Sequence, residues 1–158
     1  MKYVLMLILV VVIILIAKGV ARQYIERYEL YVALKDFFKQ MELNLGFQKH
    51  KIKEILNKSN IKKVNKDIYT NYFNYLTEGN DLDLRFVKLL DSTEQEYITN
   101  MLLSLGKSDT LSEIKQLQVY EQYLNDKVIT TKQEKDKCCP LIVKLSFLFA
   151  LGLVILLI

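Results

Sequence analysis

Only a few side chains in this sequence have the type and spacing that catalysis or metal binding needs. His50 is the single histidine, and it lies in the polar run Gln48-Lys49-His50-Lys51 with no partner at ligand spacing. Cys138 and Cys139 are adjacent, so they predict neither a disulfide framework nor a zinc site. The histidine fits a solvated surface position. The cysteines fit an interface as small apolar residues, with lipidation as the alternative.

The acidic residues and the glycines give no catalytic pattern either. Asp81 and Asp83 follow a glycine and fit a loop or a helix start. Glu94 and Glu96 fit a first helical turn, where acids interact favourably with the helix dipole. The sequence contains no phosphate-binding glycine loop and no nucleophile motif. It therefore predicts no enzyme, no cofactor and no metal site.

The stretch Leu105-Gly106-Lys107-Ser108-Asp109 is the best candidate for an interaction site. Apolar residues at helical spacing precede it and follow it. Gly106 can adopt the left-handed conformation that ends a helix, and Ser108 or Asp109 can cap the next one. These residues predict a helical hairpin, and the face beside Lys107, Ser108 and Asp109 is the surface favoured for a partner contact. Simple capping explains Ser108 and Asp109 equally well.

The apolar residues of the chain are concentrated at its two ends. Fifteen residues from Tyr3 to Ala17 carry no charge, and the stretch 141–158 carries only Lys144. A spanning helix needs about 20 mostly apolar residues. Both ends meet this length when lysines at their edges reach the interface. A cleaved signal peptide is the alternative for the first run, but Lys18 interrupts its small-residue cleavage pattern.

The chain is thus divided into an N-terminal transmembrane helix at 1–21, a middle domain at 22–137 and a C-terminal transmembrane helix at 138–158. Basic residues flank both spans on the side of the middle domain. The positive-inside rule therefore places that domain in the cytoplasm and both termini across the membrane. The residues assigned to membrane entry are Lys18, Arg22, Lys137, Pro140 and Lys144.

Two structural roles are open for Pro140. It can lie in the first turn of the second span, where a proline costs no intrahelical hydrogen bond. If the preceding helix runs on through this position, the proline lies inside it and kinks it.

The middle domain is predicted to be an all-α bundle of five or six helices. One proline and five glycines leave few breaks in 158 residues. The 22 basic residues less Lys2 and Lys144 leave 20 against 18 acids, a balance that argues against nucleic-acid binding. The predicted helices are a long one from the first span to Gly46, short ones at 49–56 and 81–90, and others at 62–78, 92–105 with a Ser92/Gln95 capping box, and 110–137.

Several stretches, in order along the whole chain, resemble one known family. They are Gly19-Val20-Ala21-Arg22, the helix with Leu34 and Met41-Glu42-Leu43, the turn segment from Leu102 to Asp109, and Leu151–Leu157. The turn segment is the most specific of them, because it lies before a long helix and a C-terminal span. With this topology, the sequence resembles the stage III sporulation protein AB family of endospore-forming bacteria.

The resemblance implies a function that composition does not give. It implies a non-enzymatic platform subunit of the channel complex between mother cell and forespore, similar to the inner-membrane platform protein of type II secretion. The chain would lie in the outer forespore membrane with its middle domain in the mother-cell cytoplasm. The implied partners are the stage III sporulation protein AA, a secretion-type ATPase, and other stage III sporulation membrane proteins, with self-association left open.

Other functional classes have their own sequence requirements. A stand-alone membrane-anchored adaptor or regulator fits the residues as well, and only its partners would distinguish it from a platform subunit. An integral-membrane enzyme needs polar or ionisable residues within its spans, where only Lys144 and Ser146 are available. A pore needs an amphipathic stripe, which the spans lack. No small-molecule substrate is implied.

Overall fold

The computed structural model describes residues 2–43, 66–79, 81–84, 87–105, 107 and 110–157, and these residues form helices and no strand. Helix α1 comprises Lys2–Leu43, α2 Lys66–Glu78, α3 Ser92–Ser104 and α4 Thr110–Leu157. The all-α prediction is confirmed. The helix candidate at 49–56, the stop at Gly46 and the beginning of the 62–78 helix lie outside the described residues.

The predicted number of five or six helices is too high for the described chain, and the short helix expected at 81–90 is wrong. Its described residues are not helical: residues 88–90 form a turn and a bend, the Val87 N–H donates to the Leu84 carbonyl at 2.9 Å, and the Leu90 N–H donates to the Val87 carbonyl at 3.1 Å. Leu84, Val87 and Leu90 are all buried. The sequence predicted a helix with Leu82, Phe86, Leu89 and Leu90 toward the core; Leu90 is buried and Leu82 and Leu89 pack partly against the core without a helix, while Phe86 lies outside the described residues.

The chain divides into two compact units. The apolar unit consists of residues 1–28 and 129–158, and the core unit of residues 29–128. Helices α1 and α4 each contribute to both units, because each is helical over its whole length. The predicted membrane boundaries, at 21/22 and 137/138, stay predictions.

In the apolar unit, α1 and α4 run antiparallel. The Cys139 thiol lies 3.4 Å from the Ala21 carbonyl oxygen, and the Lys135 ammonium lies 4.4 Å from the centre of the Tyr28 ring. Small residues on the packed faces permit this close approach: Ala17, Ala21 and Ala150 are at most 8% exposed. The large apolar side chains on the other faces are exposed, as in helices that lipid surrounds.

The core unit is built around one hydrophobic cluster to which all four helices contribute. On α1 the buried residues recur at steps of three and four, as the sequence predicted, and include Leu34, Phe38 and Met41. Here too α1 and α4 are antiparallel. The Phe38 and Tyr120 rings have centroids 5.9 Å apart, and the Lys35 ammonium lies 2.7 Å from the Asn125 side-chain oxygen.

The helix ends follow capping chemistry, with one correction. Helix α2 ends as predicted at Gly79, whose φ of 75° is unstrained only for glycine. Helix α3 is capped by Asp91 and Glu94, one residue before the predicted pair Ser92 and Gln95. The Asp91 carboxylate accepts from the Glu94 N–H at 2.8 Å, and the Glu94 carboxylate accepts from the Asp91 N–H at 3.2 Å. The capping-box prediction was wrong by one position.

Pro140 lies inside α4 and not at its beginning. Of the two arrangements considered for Pro140, the structure has the one in which the preceding helix continues through the proline. Proline has no N–H to donate to the carbonyl four residues earlier, so the Asp136 carbonyl receives no hydrogen bond from that position. The last predicted soluble helix and the second span are therefore one element.

Candidate functional site

The turn predicted as an interaction site begins at the C-terminus of α3. Leu105 is extended, with φ −61° and ψ 129°, and its side chain is buried in the core cluster. The Lys107 N–H donates to the Ser104 carbonyl at 3.3 Å, and the Lys107 side chain is exposed. Gly106, Ser108 and Asp109 lie outside the described residues, so the predicted helix stop and cap at these positions stay predictions. Helix α4 begins at Thr110, directly after them.

A chain of polar contacts connects the end of α3 to α4 next to this turn. The Ser104 hydroxyl donates to the Met101 carbonyl at 2.8 Å, which uses its single proton. The Tyr120 hydroxyl lies 3.0 Å from the Ser104 oxygen and 2.6 Å from the Gln116 amide nitrogen. Tyr120 therefore accepts from Gln116 and donates to Ser104. This network keeps the two helices in register where the turn joins them.

A second polar contact between α3 and α4 joins Glu94 to Lys127. The Glu94 carboxylate lies 2.6 Å from the Lys127 ammonium, and the Glu94 side chain is only 3% exposed. The same carboxylate takes part in the capping box with Asp91. Sequence reasoning missed this pair, since it assigned Glu94 to the helix dipole alone. The available signal was the Asp-Ser-Thr-Glu spacing at 91–94, together with a lysine at an inward position of the last helix.

Two tyrosines in the core unit have raised pKa values. Burial, aided by the negative charge of Asp36, raises the pKa of the Tyr69 hydroxyl well above its usual value. That hydroxyl donates to the Ala33 carbonyl at 3.0 Å and so joins α2 to α1. Burial also raises the pKa of Tyr123, although the nearby Lys127 ammonium acts in the opposite direction. Both raised pKa values keep the phenols protonated at neutral pH, and the Tyr69 hydroxyl serves as a hydrogen-bond donor within the core unit.

The residues predicted to mark membrane entry all belong to the apolar unit. The side chains of Lys18, Lys137, Pro140 and Lys144 are exposed. The Arg22 side chain is 71% exposed and lies 2.6 Å from the Glu26 carboxylate, four residues along the same helix. An exposed pair of this kind contributes little to stability. All five side chains are exposed to whatever surrounds the apolar unit.

The two cysteines considered for catalysis lie in the apolar unit. Cys138 and Cys139 are free thiols and are half-buried, with Cys139 against the Ala21 carbonyl. His50 lies outside the described residues. Within the described ranges, no three His, Cys, Asp or Glu side chains come close enough to hold a metal ion.

The fold and the apolar faces define a class of protein. By length and composition, α1 and α4 each contain a stretch able to cross a membrane. This arrangement is typical of a helical membrane protein that is anchored by its first and last helices. The chain belongs to the stage III sporulation protein AB family, whose family model matches residues 2–158. Membership assigns it to stage III of sporulation, alongside other sporulation proteins.

Comparison with curated proteins and with solved structures found no match in either group.

Proposed function

We propose that this chain is a non-enzymatic platform subunit of the channel complex between mother cell and forespore. In this proposal, residues 1–21 and 138–158 cross the outer forespore membrane, and residues 22–137 lie in the mother-cell cytoplasm. That domain docks a stage III sporulation protein AA-type ATPase and contacts other stage III sporulation membrane proteins. The chain uses no cofactor and binds no nucleic acid.

The observation that carries the proposal is that α1 and α4 are unbroken helices which each contribute to the apolar unit and to the core unit. A bundle with two helical connections to its anchors can pass a force from a bound motor to the membrane. A stand-alone adaptor would have the same two helices, so the partners of the chain distinguish it from a platform subunit. Family membership supports the sporulation context.

The turn 105–109 is the proposed contact with the ATPase. Leu105 is buried in the core and the Ser104–Tyr120 contact lies beside it, so the turn begins from a fixed point. A partner that contacts the described part of the turn, Leu105 and Lys107, meets residues already held by core packing and by a hydrogen bond to Ser104, which lowers the entropic cost of association. The exposed Lys107 provides a charge for that contact.

Co-purification from sporulating cells tests the proposal. The tagged full-length chain, solubilised in mild detergent, should bring down the ATPase together with other stage III membrane proteins. The Asp109→Asn variant still caps a helix well and should keep its helicity, but it should lose most of the ATPase if the turn is the contact. Asp67→Asn, at an exposed position in the first turn of α2, is the matched control and should retain it.

Three outcomes decide between the alternatives. If the ATPase is recovered with the control but not with Asp109→Asn, the turn is its docking site. If both variants recover it, Asp109 is only a cap and the docking surface lies elsewhere. If the wild-type chain recovers neither the ATPase nor any other stage III protein, the platform role is wrong and the stand-alone adaptor or regulator takes its place.

A further inference from the structure

No acidic residue occurs before Glu26 in α1 or after Asp136 in α4, and this part of the apolar unit holds four cations besides Lys2 at the beginning of α1. We name these four residues the basic collar: Lys18, Arg22, Lys137 and Lys144. All four side chains are exposed. Arg22 is paired with Glu26, whereas Lys18, Lys137 and Lys144 attract anions from the surroundings of the apolar unit.

The contact between Ala21 and Cys139 fixes the relative height of these cations along the two helices. Toward the apolar ends, Lys18 lies three residues from Ala21 and Lys144 five residues from Cys139, which is about 4.5 Å and 7.5 Å along the axes. The two lysines are therefore within about 3 Å of one level. Arg22 and Lys137 lie on the other side of the contact, at nearly equal heights.

Each pair of cations lies on a stripe that faces away from the neighbouring helix. Lys18 and Arg22 are four residues apart and so share a face of α1, and Leu15 on the same face is 61% exposed. Lys137 and Lys144 are two turns apart on α4, with Leu141 between them at 54% exposed. The cations thus lie directly above apolar side chains that lipid would cover.

The spacing of charges in α1 brings the collar to the depth of lipid phosphates. The fifteen uncharged residues between Lys2 and Lys18 make about 22 Å of helix, which is shorter than the ~30 Å hydrocarbon core of a bilayer. Lysine side chains extend toward the headgroups in such a case, or the bilayer thins around the helix. Either response places phosphate groups beside Lys18 and, at the same level, beside Lys144.

The neighbouring acidic residues do not neutralise the basic collar on the side of the apolar ends. Glu26 lies 2.6 Å from Arg22 and Asp136 lies 3.3 Å from Lys135, and both acids are on the side remote from the apolar ends. We propose that the basic collar binds the headgroups of anionic phospholipids and so selects an anionic lipid annulus around the apolar unit. The inference rests on the membrane-spanning topology proposed above but not on any protein partner.

Lipid selectivity of the purified full-length chain tests this proposal. The chain is reconstituted in phosphatidylcholine vesicles with a trace of spin-labelled phosphatidylglycerol or spin-labelled phosphatidylcholine, and electron paramagnetic resonance measures the immobilised fraction of each. The wild type should immobilise phosphatidylglycerol preferentially. Each interfacial cation contributes up to about fivefold to such binding, so Lys18→Gln/Lys137→Gln/Lys144→Gln should lower the preference at least threefold, to near unity, with helicity unchanged.

The control variant removes the same charge from the core unit, at the exposed positions of Lys39→Gln/Lys88→Gln/Lys115→Gln, and should keep the wild-type preference. The proposal is overturned if the wild type shows no preference, or if the collar variant retains it, or if the control loses it equally. A collar variant that keeps its lipid preference but loses co-purifying membrane proteins would assign the cations to a protein contact. Only one protein is present in the vesicles, so a failed ATPase pull-down does not affect this result.

Discussion

The Glu94 carboxylate and the Lys127 ammonium lie 2.6 Å apart, and they join the first turn of α3 to the middle of α4. Glu94 is buried and Lys127 is about one-third exposed, with 31% of its side chain accessible. Glu94 also completes the capping box that starts α3. One carboxylate therefore serves both the local start of a helix and its packing against the long helix that leads to the apolar unit.

Removing the charge of Glu94 should destabilise the core unit. Glutamine still fits the capping-box position, so Glu94→Gln removes mainly the charge-assisted bond to Lys127. We expect a loss of about 1–3 kcal/mol in the free energy of unfolding. Urea unfolding of the full-length chain in mild detergent, followed by circular dichroism, measures it. Glu96→Gln makes the same charge change at an exposed site of α3 and should cost under about 0.5 kcal/mol.

A double variant measures the free energy that Glu94 and Lys127 contribute through their interaction with each other. Glu94→Gln/Lys127→Met should cost clearly less than the sum of the two single changes, because each single change already removes the interaction. Strict additivity would mean that the two groups do not stabilise each other.

Tyr69 should make the stability of the core unit fall at alkaline pH. Its pKa is raised in the folded chain, so the folded state holds this proton more tightly than the unfolded state does. The stabilisation is complete below the ordinary tyrosine pKa of about 10 and is lost as the pH rises further toward the folded value. Tyr69→Phe should flatten the alkaline part of the stability curve. An unchanged curve would argue against this assignment.

The same substitution should also lower stability at neutral pH. Tyr69→Phe removes the hydrogen bond to the Ala33 carbonyl, which we expect to cost about 0.5–1.5 kcal/mol. Urea unfolding at pH 7 gives this difference independently of the alkaline measurement. A variant as stable as the wild type would show that the bond makes no net contribution.

Truncation of two apolar side chains on α4 should change stability by very different amounts. Leu124 is fully buried in the core cluster, and Leu124→Ala should cost about 2–5 kcal/mol, because it leaves a cavity. Val119 is 59% exposed, and Val119→Ala should change stability by less than about 0.5 kcal/mol. Thermal unfolding of the full-length chain compares them. Similar losses at both positions would contradict the packing of α4 described here.

The helical fold and the faces of its long helices were predictable because they depend on local periodicity. Leu34, Phe38 and Met41 recur at helical spacing, and all three are buried. The position of the α3 cap was not predictable from local pattern alone. Asp91 with Glu94 and Ser92 with Gln95 both satisfy the capping-box spacing.

Tertiary contacts account for the choice between those two caps. Glu94 is held by Lys127 of α4, while the Gln95 amide donates to the Val87 and Leu90 carbonyls at 3.2 and 3.0 Å. These contacts join residues distant in sequence or without regular structure, so periodicity does not reveal them. The same contacts help to hold 87–90 as turns where a helix was expected. Helix α3 ends at Ser104 and α4 begins at Thr110, close to the ends predicted from sequence, while the cap and the partner contact at 105–109 stay predictions.

The most direct test of the central claim is the side of the membrane on which the core unit lies. Lys88 is exposed and Lys2 precedes the first span, so Lys88→Cys and Lys2→Cys, each in a Cys138→Ser/Cys139→Ser background, report the two sides. In vegetative cells that express the chain, a membrane-impermeant thiol reagent should label Lys2→Cys in intact cells and Lys88→Cys only after permeabilisation. Labelling of Lys88→Cys in intact cells would contradict the cytoplasmic platform.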